Sequence, residues 1–390
     1  MGRNLKTDKR TKQMLMGFVE QSTKLIDSDP KKYRFHWQYG DYKFNNIYLV
    51  HWFEQEFDCF VETVDKQIDV LKQEISKISS IDTTVDYDLL HLQRLRDNNK
   101  KLALCFSGGY DSTYLFKKAV DNNISFDQVL TCTIEDIDLP HAEEVKYNVF
   151  PWVKDYPDTC GEFVFHNPSL QVFKDNISDP NYIFTEGCYN MPKFCLNQWV
   201  GFTAEEDYTY IRVETNPSLI YKDKKWYAAV LNKNFSHSAY LPLSSFWVDP
   251  ENIISFLSNA LKTRNYVLEN YKVKDSPDMQ MFRPSNEELF DVLGFVDLYT
   301  PGIQGPKHTV TRATNTQGFT RGKKDLQFME FLARNREDIL TDILRGHDLF
   351  NKICNITIDK QPDVVHDSGK FPWLIDLDTF ELFRQSDVFK

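Results

Sequence analysis

The sequence is short of several features that would place it at once. Its seven cysteines, at positions 59, 105, 132, 160, 188, 195 and 354, include no CxxC pair. That leaves no obvious zinc knuckle, and an odd, scattered set in a long chain points to reduced thiols rather than a disulfide framework. No apolar run approaches the roughly 18–20 residues needed to span a bilayer. The opening stretch MGRNLKTDKRTKQ is basic but has no apolar core, so no secretory signal is expected. Lys6 stands where N-myristoylation requires Ser or Thr. Among the nine histidines there is no HExxH, and no GxSxG elbow occurs. Repeats and low-complexity tracts are absent. Positive charge is also in deficit: the net charge of −11 argues against a sequence-independent grip on nucleic acid by the whole surface. A local basic patch stays open, so tRNA is a less favoured partner rather than an excluded one. A cytoplasmic protein with no membrane partner is expected.

What is present fits a globular protein of two or three domains in 390 residues. Aromatic content is high, with 30 Phe and 19 Tyr, which suggests aromatic-rich cores or pockets. Residues 1–28 hold a weakly amphipathic helix with Met14, Phe18, Val19 and Leu25 as core candidates. Phe35, Trp37 and Tyr39 alternate before Gly40-Asp41, and Tyr42, Phe44 and 47–50 answer as the second arm of a β-hairpin. A long helix is expected over 53–79, a boundary at 79–84, and a short helix over 86–96. From Lys101 the pattern becomes alternating strands (102–106, 128–134, 162–166, 182–184, 208–213) and helices (111–120, 141–153, 169–174), the signature of a parallel sheet with crossover helices. A hairpin follows over 219–231, then helices at 251–261, 285–292, 325–334 and 336–344, and an aromatic tail. The expected organisation is a helical N-terminal region with a hairpin (1–97), an α/β domain (98–235) and a mostly helical C-terminal domain (236–390).

Lys101–Val120, KLALCFSGGYDSTYLFKKAV, organises the rest. A buried strand feeds a glycine turn that opens a helix, and that arrangement makes an anion site. Two glycines let the backbone approach a ligand, and free N–H groups at the positive end of the helix dipole face the anion. Hydroxyls of Ser107, Ser112 and Thr113 can add donors. Asp111 would repel a bare phosphate and makes most sense beside a phosphate-bound magnesium ion. The lysine-plus-hydroxyl ending of a P-loop is missing, and so is the Rossmann GxGxxG.

Ser107-Gly108-Gly109-Tyr110-Asp111-Ser112 resembles the SGGxDS loop of the PP-loop ATP pyrophosphatases, the superfamily of asparagine, GMP, NAD and argininosuccinate synthetases and several tRNA- and deazapurine-modifying enzymes. The likeness covers about 35 residues, to Glu135. It implies a parallel twisted sheet with flanking helices of the adenine nucleotide alpha-hydrolase-like kind, between helical N- and C-terminal regions. It also implies MgATP cleaved between the α and β phosphates, a substrate oxygen activated as an adenylate, and amide or C–N bond formation. By the same resemblance Ser107–Thr113, Tyr110 included, would hold the phosphates, and Thr131, Cys132 and Thr133 would line the purine site. Asp111 and Glu186 would hold the metal, Glu186 standing where asparagine synthetases have a richer Asp-Glu pattern.

Four further features bear on the chemistry. Glu135, Asp136 and Asp138 follow the second strand as loop carboxylates. Residues 298–324 contain no Asp or Glu but carry Lys307, His308, Arg312, Arg321, Lys323 and Lys324 among four glycines. Such a stretch suits a lid closing over ATP and pyrophosphate, with Arg321, Lys323 and Lys324 neutralising the leaving group; a solvated basic loop or an RNA-backbone contact are the alternatives. Cys188 and Cys195 are the only close thiol pair, and a buried apolar role competes with sulfur transfer there. Gly2 stands where the usual asparagine synthetases carry a catalytic cysteine, and the residues ahead of the α/β domain are too few for a glutaminase domain. Nitrogen would come from free ammonia, an amine or a separate amidotransferase. The acceptor is expected to be a small molecule or nucleobase; a tRNA- or deazapurine-modifying enzyme of the same superfamily and a non-catalytic adenine-nucleotide binder are the alternative readings.

Overall fold

The structure is a computed structural model that describes residues 9–28, 35–44, 47–65, 68–98, 101–134, 144–178, 208–213, 218–230, 243–246, 250–274, 280–282, 290–293, 332–342 and 373–388. The chain opens with helix α1 (Lys9–Ser28), which buries Leu15, Val19, Ser22 and Ile26. The buried stripe is rotated by one residue from the expected one, and Met14 is exposed. Strands β1 (Phe35–Tyr39) and β2 (Tyr42–Phe44) form the expected hairpin, with Gly40 at φ +56 in its turn and Trp37 paired with Phe44.

The next two expectations are overturned. Residues 47–50 are not a second hairpin arm but the start of helix α2 (Ile47–Phe57). The expected helix over 53–79 is broken: Asp58 takes a left-handed φ of +48, and the Glu54 carboxylate accepts from Val61 N at 2.9 Å outside the helix. Strand β3 (Glu62–Asp65) then pairs antiparallel with β1, and helix α3 (Ile68–Ser76) follows. The β-branched Thr63 and Val64 suit a pleated pairing better than a helix turn. Helix α4 (Tyr87–Asn98) is opened by Asp86, whose carboxylate accepts from Leu89 N at 3.0 Å in the manner of an N-cap.

The central unit comprises β4 (Lys101–Cys105), α5 (Tyr110–Asp121), β5 (Gln128–Cys132), a π-helical turn at Val145–Val149, α6 (Phe150–Asp155), α7 (Pro157–Cys160), β6 (Glu162–His166), α8 (Leu170–Ser178) and β7 (Tyr208–Arg212). After the hairpin β8 (Ser218–Lys222) and β9 (Lys225–Val230), β10 (Leu243–Ser245) returns to the same sheet. The order is β10-β7-β4-β5-β6, and every neighbouring pair is parallel. Numbered within the sheet in chain order, these strands are the fifth, fourth, first, second and third. The winding therefore reverses between β4 and β7. Leu102, Leu104 and Phe106 pack with Leu92, Leu95, Leu115, Phe116 and Ala119 in one core, where the Phe106 and Phe116 rings stack at 5.0 Å. Asp127 ties helix to sheet: its carboxylate accepts from Leu102 N at 2.7 Å and from Arg96 at 2.6 Å. Partial burial pushes that carboxyl up, but the Leu102 amide and Arg96 guanidinium outweigh it and hold it below the usual range.

The remaining elements are α9 (Ile253–Asn270), β11 (Gln280–Phe282), α10 (Phe290–Leu293), β12 (Trp373–Asp376), β13 (Leu382–Arg384) and α11 (Gln385–Val388). A second, antiparallel sheet has the order β11-β8-β9-β12-β13. Its core joins Leu219, Trp226, Ala228 and Ile375 to Phe256, Leu257 and Ala260 of α9 and Leu71 and Ile75 of α3. The β8–β9 turn carries positive φ at both Asp223 and Lys224, the conformation that matches strand twist in tight hairpins. The hairpin expected within 98–235 thus belongs to this second sheet, and β10, beyond residue 235, belongs to the parallel one. In the described part of 236–390 helix outweighs strand. That part carries α9 and helical turns at 332–335 and 337–342, but also four strands, two of them in the stretch expected as an aromatic tail. The reason is pairing: Trp373 and Ile375 alternate against β9 and bury completely or nearly so. Among the described residues no helix is long and apolar enough to cross a membrane. The expected strand at 182–184 lies outside the described residues.

Candidate functional site

The glycine loop leaves the sheet at the carboxyl end of β4, beside the point where the winding reverses. Phe106 N still donates to Leu130 O at 2.8 Å, so the departure comes at Ser107. Gly108 has φ +76, and a Cβ there would meet Glu144 O at 2.6 Å and Val149 Cγ2 at 3.1 Å. Only glycine fits both the conformation and the space. Gly109 is the N-cap of α5 in extended backbone, and it supplies no side-chain cap. Its carbonyl accepts from Thr113 N at 2.9 Å, so the amides of residues 110–112 precede the first helical acceptor. These amides sit at the positive end of the α5 dipole.

The hydroxyls divide their roles. Ser107 is exposed, and its Oγ lies 3.1 Å from Ser112 Oγ while accepting from Gly109 N at 3.3 Å. Ser112, only 3% exposed, also donates to Gly109 O at 3.2 Å and so pins the turn from inside. Thr113 is fully buried, with its Oγ1 unpartnered. Asp111 is half-buried, and for Tyr110 the backbone alone is described, as the first residue of α5. Among the side chains described, Ser107 is therefore the exposed member of the expected set, and Asp111 keeps one carboxylate oxygen inside.

At the carboxyl end of β5, Thr131, Cys132 and Thr133 are all buried. Thr133 N is committed to His166 O at 3.1 Å, and the hydroxyls of Thr131 and Thr133 have no hydrogen-bond partner. At the end of β7, Arg212 follows Ile211, which pairs with Leu104, so its charge stands across from Cys105. Burial pushes the Cys105 thiol up to about 12, outweighing the opposing charge of Arg212. Arg212 thus brings a half-buried cation to the switch point, a residue that strand patterning alone did not single out.

Asn148 is the other residue missed. It lies on the π-helical turn, is 2% exposed, and its Nδ2 donates to Gly108 O at 2.7 Å. The wider π turn is held by Phe150 N bonding to Val145 O. Such turns recur where a helix must re-aim a side chain near a site. The available signal was an asparagine on the apolar face of Val145, Val149 and Trp152, at i+3 from the first of them.

Glu135, Asp136, Asp138, Glu186, Cys188, Cys195, Lys307, His308, Arg312, Arg321, Lys323, Lys324 and Cys354 lie outside the described residues, so the expected lid and second metal ligand have no geometry here. Among the described residues no group of three His, Cys, Asp or Glu side chains is placed to hold a metal ion. Two cavities, of about 400 Å³ against the N-terminal hairpin and about 240 Å³ beside α5, are not lined by residues 107–109. No family model and no curated protein matches the chain.

Proposed function

We propose that the chain is an ATP pyrophosphatase of the PP-loop kind, which activates a substrate oxygen as an adenylate for amide or C–N bond formation. The observation that carries this reading is the position of Gly108 and Gly109. They form an uncapped helix start at the carboxyl end of the first strand, next to the winding reversal of a parallel sheet. Open α/β sheets take their ligands at such a crevice. The donor set fits a nucleotide's phosphate chain: amides of 110–112, the exposed Ser107 hydroxyl and a half-buried carboxylate at Asp111.

In this reading the loop amides and Ser107 grip the phosphates. Asp111 holds magnesium, which when bound neutralises phosphate charge. A carboxylate, amide or ring carbonyl oxygen of a small-molecule or nucleobase substrate attacks the α-phosphorus, and the bond to the β-phosphate oxygen breaks. Pyrophosphate leaves, and a nitrogen nucleophile then displaces AMP. Arg321, Lys323 and Lys324 are assigned to the leaving pyrophosphate, and Arg212 adds positive charge at the strand ends. Catalysis is electrostatic and positional, and no side chain acts as a covalent nucleophile. The nitrogen comes from ammonia, an amine or a separate amidotransferase.

The test is pyrophosphate release from MgATP in the presence of a small-molecule cell extract, with nucleotide binding measured alongside. Release that depends on the extract supports the reading, and failure to bind any adenine nucleotide overturns it. Binding without release selects the second reading, a non-catalytic nucleotide binder. That reading is favoured by one observation: Ser112 spends its hydroxyl within the loop and Thr113 is in the core, which leaves fewer donors for the phosphates.

A further inference from the structure

A second polar cavity lies against the helix that follows the glycine loop. It measures about 240 Å³, the volume of roughly eight waters, and is bounded by the segment ahead of α4 and by α4, α5, α9 and α10. Helix α9 faces it with Ser255, Ser258, Asn259 and Lys262, spaced i, i+3, i+4 and i+7 on one side. The residues between them, Phe256, Leu257, Ala260 and Leu261, are core. Packing alone would have made the cavity face apolar as well.

The polar groups of the wall are unequally committed. Asp88, 5% exposed, accepts from Tyr114 Oη at 2.8 Å and from the Ser255 hydroxyl. Asp86 is taken by Lys118 Nζ at 2.6 Å and by Leu89 N. Both carboxylates are therefore answered. Ser258 is 2% exposed, and its hydroxyl has no partner. The Lys262 ammonium and the Asn259 side-chain amide have no partner among the described residues either. What remains open on α9 is one positive charge, one hydroxyl and one amide on adjacent turns.

We propose that this cavity binds a small oxyanion, a carboxylate or phosphate group of a metabolite, held by Lys262, Ser258 and Asn259. The site is separate from the glycine loop and does not rest on the nucleotide reading. It touches α5 through Tyr114 and Lys118, on the same helix that carries Asp111.

The test is isothermal titration of the full chain with inorganic phosphate and, separately, with succinate, at constant ionic strength. Saturable one-site binding of either titrant is expected, and the titrant that binds identifies phosphate or carboxylate as the recognised group. Lys262→Gln removes a charge-assisted hydrogen bond and should weaken that binding by about tenfold or more. Ser258→Ala should weaken it less, and Ser107→Ala in the glycine loop should leave it unchanged. Lys262 is half-buried at the cavity edge, and circular dichroism identical to the parent establishes that the variant is folded. No binding of either titrant overturns the proposal, and so does binding with the same affinity in Lys262→Gln. Binding abolished by Ser107→Ala but kept in Lys262→Gln assigns the anion to the glycine loop and overturns it equally.

Discussion

A methyl group on Gly108 would sit 2.6 Å from Glu144 O, 3.0 Å from the Glu144 carbonyl carbon and 3.1 Å from Val149 Cγ2, on a backbone at φ +76. Gly108→Ala therefore meets two penalties. Left-handed backbone costs an alanine about 1–2 kcal/mol. Forcing a carbon against a backbone carbonyl that cannot swing aside adds about 1–3 kcal/mol of overpacking. Displacing the loop also strains the 2.7 Å bond from Asn148 to Gly108 O. The sum, about 2–5 kcal/mol, is a large share of the stability typical of a domain. Gly40→Ala is the internal control, since Gly40 has φ +56 but nothing within 4 Å of its ideal Cβ. It should lose only the backbone component. Urea unfolding followed by tryptophan fluorescence separates the two, because Trp152 stacks on Tyr156 at 5.2 Å and lies edge-on to Phe116 in the parallel-sheet core. The expected result is a loss for Gly108→Ala larger than for Gly40→Ala by at least about 1 kcal/mol. Equal losses would mean that the 144–149 segment does not press on the loop, and the reasoning that makes Gly108 obligatory would fall.

Asn148→Ala should cost about 1–3 kcal/mol by leaving Gly108 O buried without its donor, read as a shift in urea midpoint at unchanged slope. Asn148→Asp should not restore it, because a carboxylate cannot donate, and a silent alanine variant would remove Asn148 from the loop's support. Asp111→Asn should spare the fold yet weaken magnesium-dependent use of ATP, and unchanged turnover would take Asp111 out of the metal site. Burial pushes the thiols of Cys105 and Cys160 up to about 12 and about 11 from an ordinary value of 9.0. Neither should react with Ellman's reagent at pH 8 until the chain unfolds, whereas Cys59, half-buried, reacts in the folded state. The linked effect on stability has a definite sign. Above pH 9 the unfolded chain ionises these thiols, while the folded chain keeps Cys160 protonated to about 11 and Cys105 to about 12. Their contribution is therefore complete below pH 9 and is lost as pH rises toward about 12, which a series of urea midpoints in that window checks.

Four of the five parallel-sheet strands were legible because each carries its own evidence, whereas β10 was not among the strands expected. Leu102–Phe106 is a short apolar run between lysines and a Ser-Gly-Gly turn, and 162–166 stands alone between a glycine and an Asn-Pro. Their order was not legible. That β7 pairs with β4 depends on contacts more than a hundred residues apart, and that β10 joins β7 depends on contacts that step over a hairpin of another sheet; such contacts leave no local pattern. The run Ile47–Val50 was ambiguous for a different reason: four apolar residues suit a buried strand or a helix equally. Length and the Asn45-Asn46 pair ahead of it, residue types suited to a helix start, were the arbiters. For the loop, the hexapeptide specified residue types but not faces. Successive residues of α5 step by about 100°, so Asp111 and Thr113 point about 200° apart and cannot both address one ligand. Asp111 is half-buried and Thr113 is wholly in the core, as that rotation requires. The hydroxyl next to the carboxylate in sequence is therefore spent on the turn or the core. On the proposed nucleotide reading, the donors left for phosphate are the backbone amides and Ser107, and so a change at Gly108 or Asn148 should disturb the site more than removing the Thr113 hydroxyl does.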